Sequence, residues 1–482
     1  MSYGTSYSES SLMSYMGRLN YSLLNKYLLT ASGRWDGASV LSEGNKWDFF
    51  PSLALAWKLE EEKVIKDLRW IDQLKLRVGW GVTGNSSVSA YSTTGSIVAA
   101  GYVFNETQYS GYKAEAMPNS SLKWEKTGQY NLGLDFSILK NRLSGSVELY
   151  RSNTSDLLMA RSIPVTLGYS TILTNIGKTM NQGVEITIST LNINAKNFKW
   201  RTDFSWSKNK EAIVELASGK VDDKANGWYI GQPIAVYRDY VYDRLWQNTP
   251  SDARLIELYK KIGNITAIPG QSKVKDQDLV IVAAGTTGSK SVTLASGEVV
   301  NYLNNGFGTI NDDDKKILGS NRPDWVAGIT NTFSYKNWEL NFFIYARIGM
   351  EYYGALETYG RRVENDVWSS TNITGKYPQQ TTASFTDYNY TMNYVDGSLI
   401  SVRNIALAYS LPKKLLDKLK INKFQIYGQV LNPFMFGGAA VKAGLNTDDA
   451  TGWDSTAGAQ SGGQTANTIV NRSLVFGLKI GL

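Results

Sequence analysis

Runs of about ten residues that alternate apolar and polar side chains recur along the whole chain, and no other feature restricts its fold as tightly. The last run is the cleanest. Leu474, Phe476, Leu478, Ile480 and Leu482 share one face, and Ser473, Val475, Gly477, Lys479 and Gly481 share the other. Side chains of a strand point alternately to its two faces, so this is a strand with one apolar side. Leu74, Leu76, Val78, Trp80 and Val82 likewise oppose Lys75, Arg77, Gly79, Gly81 and Thr83. Leu53, Leu55, Trp57 and Leu59 oppose Ser52, Ala54, Ala56 and Lys58.

About thirteen such runs follow one another, near 14–24, 27–35, 49–59, 73–83, 124–139, 142–151, 183–191, 198–208, 325–335, 338–347, 398–410, 424–432 and 469–482. Most have the length that a tilted strand needs to cross a bilayer, whereas strands of soluble sandwiches average only about five to six residues. Connector length separates the two cases further. Asn25-Lys26, Lys140-Asn141, 192–197 and Lys336-Asn337 are tight, while 84–123, 152–182, 209–324, 348–397 and 433–468 are long, and 36–48 against 60–72 decides nothing. One end of the strands carries small turns and the other elaborate loops, as in bacterial outer-membrane barrels.

The bilayer supplies the reason for the two faces. Hydrocarbon offers no hydrogen-bond partners, so neighbouring strands must satisfy each other's backbone while apolar side chains face lipid. Arg77, Glu148, Arg201 and Lys479 are then expected to line the interior. Trp57, Trp80, Trp200, Trp206, Tyr21, Tyr27 and Trp338 fall on apolar faces as interfacial girdle residues would. The sequence has no run of eighteen apolar residues for a helical span.

Composition narrows function by exclusion. The chain has no His and no Cys, which removes imidazole bases, thiol nucleophiles, Cys/His zinc sites and histidine-dependent triads. Its 50 Lys and Arg against 43 Asp and Glu are scattered singly, so the net charge of +7 forms no nucleic-acid arm. Residues 1–11 lack the charged and apolar regions of a signal peptide. Thirteen strands are an odd number, whereas single-chain bacterial barrels have an even one, so further N-terminal strands are expected.

Several ordered motifs resemble the SusC/RagA-like branch of TonB-dependent outer-membrane transporters. They are RLNYSLLNKYLLTASGRWDGAS at 18–39, FFPSLALAW at 49–57, LKLRVGWGVTGN at 74–85 and NSSLKWEKTGQYNLGLDF at 119–136. NIGKTMNQGVEI at 175–186, RPDWVAGITNTFSYKNWEL at 322–340 and SVRNIALAYSLPKKL at 401–415 complete the set. The short turn from Leu139 to Leu143 is expected to set a hairpin, and Gly183 a strand start. The resemblance implies an all-β, antiparallel transmembrane barrel of 22 strands. Residues 1–482 would supply about thirteen of them as an incomplete C-terminal barrel domain without the plug. It also implies a nutrient importer of the bacterial outer membrane that carries oligosaccharides or other glycans, with peptides as an alternative. A SusD-like surface lipoprotein would cap it, and the TonB complex would engage through the parent protein's N-terminal region. No nucleic acid and no catalytic residue are expected. One departure is the last residue, Leu482, where barrels of this kind usually end on an aromatic.

Candidate contacts lie in the long loops, because aromatic rings stack on the apolar faces of sugars. Trp228, Tyr229, Tyr237 and Trp246 are expected in loop 209–324, beside Tyr240 and Tyr242. Tyr352 and Trp368 are expected in loop 348–397, beside Tyr353 and Asp366. The competing role is packing of one loop on another. In GTINDDDKKILG at 308–319, Asp312 and Asp314 offer hard oxygen ligands suited to a structural Ca2+, although the spacing of a dedicated calcium loop is absent and a solvated acidic turn competes.

Two other classes stay open at this point. An outer-membrane barrel enzyme would need a carboxylate or lysine base and would show hydrolytic turnover. A soluble glycan-binding β-protein would stay monodisperse without detergent and show no heat-modifiable band.

Overall fold

The computed structural model describes residues 7–169, 171–263, 265–303, 310–354, 366–379, 381–442, 444, 446–449 and 471–481. Thirteen antiparallel strands form one sheet in which each pairs with the next along the chain. They are β1 (Leu12–Leu23), β2 (Tyr27–Ala38), β3 (Trp47–Lys58), β4 (Ile71–Asn85), β5 (Glu125–Ile138), β6 (Leu143–Ser155) and β7 (Lys178–Asn194). β8 (Phe198–Glu215), β9 (Trp325–Tyr335), β10 (Trp338–Ile348), β11 (Leu399–Ser410), β12 (Lys423–Gly437) and β13 (Ser473–Gly481) complete the sheet. Every alternating run is a strand. Two are much longer than their alternation: 183–191 grows to Lys178–Asn194 and 198–208 to Phe198–Glu215. Leu482 lies outside the described residues.

Register fixes the faces. Leu76, Leu134, Val147, Ile186, Trp206 and Ala327 fall in one row across β4 to β9. One residue along, Arg77, Gly133, Glu148, Glu185 and Ser207 form a row on the opposite face. Among the described residues the apolar side has no protein cover: Leu474 is 71% exposed and Phe476 81%. A face this broad and this uncovered belongs in hydrocarbon. Among the described residues no helix is long and apolar enough to cross a membrane.

Aromatics gather at both ends of that face. Near the outer ends of β1 to β3, Tyr15 stacks on Trp47 at 5.9 Å and Trp35 meets Trp47 edge-on at 6.2 Å. At the inner ends Tyr27 lies 6.0 Å from Trp57, and Trp338 4.7 Å from Tyr409. Tryptophan and tyrosine favour these depths because each has an apolar ring and a polar tip.

Parity assigns the connectors. Those at 24–26, 59–70, 139–142, 195–197, 336–337 and 411–422 lie at the inner end, and those at 39–46, 86–124, 156–177, 216–324, 349–398 and 438–472 at the outer end. The pair that length could not separate is thereby resolved. The first turn sits one residue earlier than expected: Leu24 and Asn25 both have φ 54°, and Lys26 N donates to Leu23 O at 3.0 Å. Two positive φ values make the mirror-image turn whose twist suits a hairpin.

Gly183 does not start a strand. It lies inside β7, where a Cβ would come within 2.6 Å of both Tyr150 Oη and Lys208 O. Close approach of a neighbouring ring, and not a turn, requires glycine there.

Candidate functional site

The two longest outer loops, 216–324 and 349–398, rise from β8 to β11 and carry most of the buried side chains. The first contains the helix Pro250–Gly263, whose first turn is fixed by Asp252. That buried carboxylate accepts from Arg244 Nη1 and Nη2, both at 2.6 Å, and from Gln247 N at 2.7 Å. The helix packs Leu258 and Tyr259 inward against Leu294, Val300 and Trp246, so the loop has its own small cores.

The second loop is tied to the first at many points. Trp368 Nε1 donates to Gln247 Oε1 at 2.9 Å, and Gln271 Nε2 donates to Gln379 O at 2.7 Å. Asn389 Nδ2 donates to Gln271 Oε1 at 2.7 Å while Asn389 Oδ1 accepts from Ser272 N at 2.9 Å. Tyr394 Oη donates to the fully buried Asp239 Oδ2 at 2.8 Å. Rings follow the same seam: Tyr237 lies 5.6 Å from Tyr394, Tyr353 4.6 Å from Tyr394, and Tyr240 meets Tyr388 edge-on at 5.3 Å.

This packing decides where the expected contact residues lie. Tyr229, Tyr237, Trp246, Tyr352 and Trp368 are buried, with their rings against other loop residues. Tyr237 sits in the seam between the loops, Tyr352 packs within its own loop opposite Val395, Trp246 packs on Tyr259, and Tyr229 lies under Arg238. Trp228 alone of the six is half-exposed. It lines a cavity of about 510 Å³ with Met159, Arg161 and Asp223. Burial against distant loop segments has no signature in a single sequence, which is why the six looked alike.

The acidic turn is also divided. Asp312 receives Arg238 Nη1 at 3.1 Å on both carboxylate oxygens and has Lys224 and Lys315 nearby, and the Arg238 guanidinium holds its carboxyl below the usual range. A carboxylate so engaged by cations is a poor ligand for Ca2+. Asp314 faces the other way, accepting from Gln277 N at 2.6 Å and Asn311 N at 2.8 Å. It meets Asp276 and Asp278, with one oxygen of each within 4.8 Å of the others. Asp276 Oδ2 and both Asp278 carboxylate oxygens are shielded and have no donor among the described residues. These three carboxylates can together offer oxygen ligands to a hard cation.

Below the loops, the face opposite the apolar one carries charge. Arg77 donates from Nε to Asp135 Oδ2 at 2.8 Å, and from Nη2 to Asp135 Oδ1 and Glu148 Oε1 at 2.7 Å each. Gly133 lies beneath the guanidinium, where a Cβ would come within 2.9 Å of Arg77 Cζ. Arg201 pairs with Asp203 at 2.8 Å, and Lys479 lies 5.3 Å from the Tyr427 ring centre. All four residues expected in the interior stand on this face.

A thirteen-strand antiparallel sheet with an uncovered apolar side, a charged side and long loops at one end matches a known family over residues 2–432: TonB dependent receptor-like, beta-barrel. The chain belongs to this family. It is 32% identical over 464 residues to TonB-dependent receptor P3 of Formosa agariphila, covering 92% of this chain and 43% of that protein. It is 31% identical over 443 residues to TonB-dependent receptor SusC of Bacteroides thetaiotaomicron, covering 89% and 40%. In fold it matches a solved RagAB peptide transporter with a TM-score of 0.71 at 19% identity, covering 98% of this chain and 48% of that one. The chain thus spans less than half the length of the relatives it matches. As a TonB-dependent receptor barrel it is an integral outer-membrane protein, and the family is one of receptors and not of enzymes.

Proposed function

We propose that the chain is the barrel portion of an outer-membrane, TonB-dependent nutrient importer of the SusC/RagA type, whose cargo is an oligosaccharide. What supports this reading is the pair of outer loops bound to each other at one end of a sheet whose face opposite the apolar one carries Arg77, Asp135, Glu148 and Arg201. Similarity to SusC supports it, as does the half-exposed Trp228 at its cavity, where a sugar ring has an aromatic surface to stack on. A SusD-like lipoprotein would cap the loops from outside, and the TonB complex would supply energy through the rest of the parent protein. Peptide cargo is the second reading, favoured by the fold match to a peptide transporter.

Deletion of the gene tests the proposal. The deletion strain is expected to lose growth on one class of oligosaccharide while growing normally on the corresponding monosaccharide. Normal growth on every oligosaccharide together with a defect on peptides would replace the first reading by the second.

A further inference from the structure

We infer that the lipid-facing side of β6 to β8 holds the phosphorylated headgroup of an outer-leaflet glycolipid at Arg151, Lys208 and Lys210. On β8 the lipid-facing residues run Trp200, Thr202, Phe204, Trp206 and then change to Lys208 and Lys210. On β6 they run Val147, Leu149 and then Arg151. The charge begins where the apolar stretch of each strand stops, on the side toward the outer loops.

Register gathers the three cations. Arg151 and Lys210 both pair with Gln182, one from each side of β7, while Lys208 and Leu149 flank Val184 two residues along. Two strand spacings therefore separate Arg151 from Lys210, about 10 Å, which long side chains converging on one phosphate group can bridge.

Nothing among the described residues answers this charge. Arg151, Lys208 and Lys210 are exposed and form no ion pair among the described residues. The neighbouring positions on the same face are Tyr130, Leu149, Gln182 and Val184, with no carboxylate among them. The nearby acids Glu185 and Glu211 alternate to the other face, where Glu211 pairs with Arg322 at 3.5 Å. Lys208 and Lys210 also line a cavity of about 690 Å³ with Arg322 and Trp325, whose remaining acid, Asp324, lies against Gly349.

Three uncompensated cations on a lipid-facing surface are unfavourable within hydrocarbon and favourable beside anionic headgroups. The partner that meets both the apolar stretch and the charge is a lipid whose acyl chains lie on Leu149, Val184 and Trp206 and whose phosphate reaches the cations. At the outer face of an outer membrane that lipid is a phosphorylated glycolipid.

The test uses the full-length protein, purified in detergent and exchanged into nanodiscs with phosphorylated lipid A or with the same lipid A after phosphatase treatment, with bound lipid read by native mass spectrometry. Wild type is expected to retain phosphorylated lipid A through delipidation, and a Arg151→Gln, Lys208→Gln, Lys210→Gln variant to retain roughly tenfold less. The variant Lys208→Arg, Lys210→Arg is expected to hold it as wild type does, and heat-modifiable migration confirms that every variant is folded. Equal retention by the triple glutamine variant overturns the inference, as does equal retention of the dephosphorylated lipid.

Discussion

Trp57 Nε1 donates to Glu62 Oε1 at 3.1 Å, joining the inner end of a membrane strand to the connector that follows it. Tyr27 Oη reaches the same oxygen at 3.2 Å, and Lys26 Nζ lies 3.0 Å from Glu62 Oε2. The hydrogen bond from Lys26, then that of the Trp57 indole, then that of Tyr27, hold the Glu62 carboxyl below its ordinary value of 4.5. A depressed carboxylate contributes above its unfolded pKa, and the contribution is lost as pH falls through the folded one. Glu62→Ala is therefore expected to speed protease cleavage within 59–70 several-fold at pH 7, with an effect that shrinks as the pH falls through the folded pKa of this carboxyl. Limited proteolysis followed by mass spectrometry checks this.

Arg77 holds two carboxylates that otherwise face each other. Arg77→Met is expected to destabilise the barrel by about 1–2 kcal/mol, less than for a fully buried pair because all three side chains are partly exposed. The combined variant Arg77→Met, Asp135→Leu, Glu148→Leu is expected to recover most of that loss. Urea titration followed by the heat-modifiable band measures both.

Asn331 is a polar residue on the lipid-facing side. Its Oδ1 accepts from Trp200 Nε1 at 2.9 Å and from Thr202 Oγ1 at 2.7 Å, so three polar groups satisfy one another. Asn331→Leu leaves two donors without their acceptor on the lipid-facing side and is expected to cost about 1–3 kcal/mol. Adding Trp200→Phe and Thr202→Val is expected to restore stability, which the same titration reads.

Burial, then the neighbouring Asp276 carboxylate, pushes the Asp278 carboxyl up to about 6. The folded loop keeps a proton that the unfolded loop releases at its lower value, so stabilisation complete below pH about 4 is lost as pH rises through 6. In chelator-treated protein, hydrogen exchange of Lys273–Leu279, corrected for intrinsic rate, is expected to increase between pH 5 and pH 7. Asp278→Asn is expected to remove the dependence.

The strands were legible because hydrocarbon imposes one demand on every one of them. Leu474, Phe476 and Leu478 have no tertiary partner to await, so alternation alone places them. The loops obey no such periodicity. Asp312 and Asp314 are neighbours in an acidic run, and what separates them is Arg238, which arrives from 74 residues away. Tyr237 and Tyr352 could not be told from exposed rings without the segment that covers them. Gln271, Asn389, Asp239 and Tyr394, which join the loops, carry no motif. Asp276 and Asp278 lie 36 or more residues from Asp314, too far apart to read as one group.

The seam between loops 216–324 and 349–398 has a mechanical meaning. Gln247, Gln271 and Asp239 on one side are bound to Trp368, Asn389 and Tyr394 on the other, so neither loop can swing without the other. A rearrangement that moves these loops as a unit then pivots where they leave the ends of β8, β9, β10 and β11. Load applied to either loop reaches four adjacent strands of the wall together.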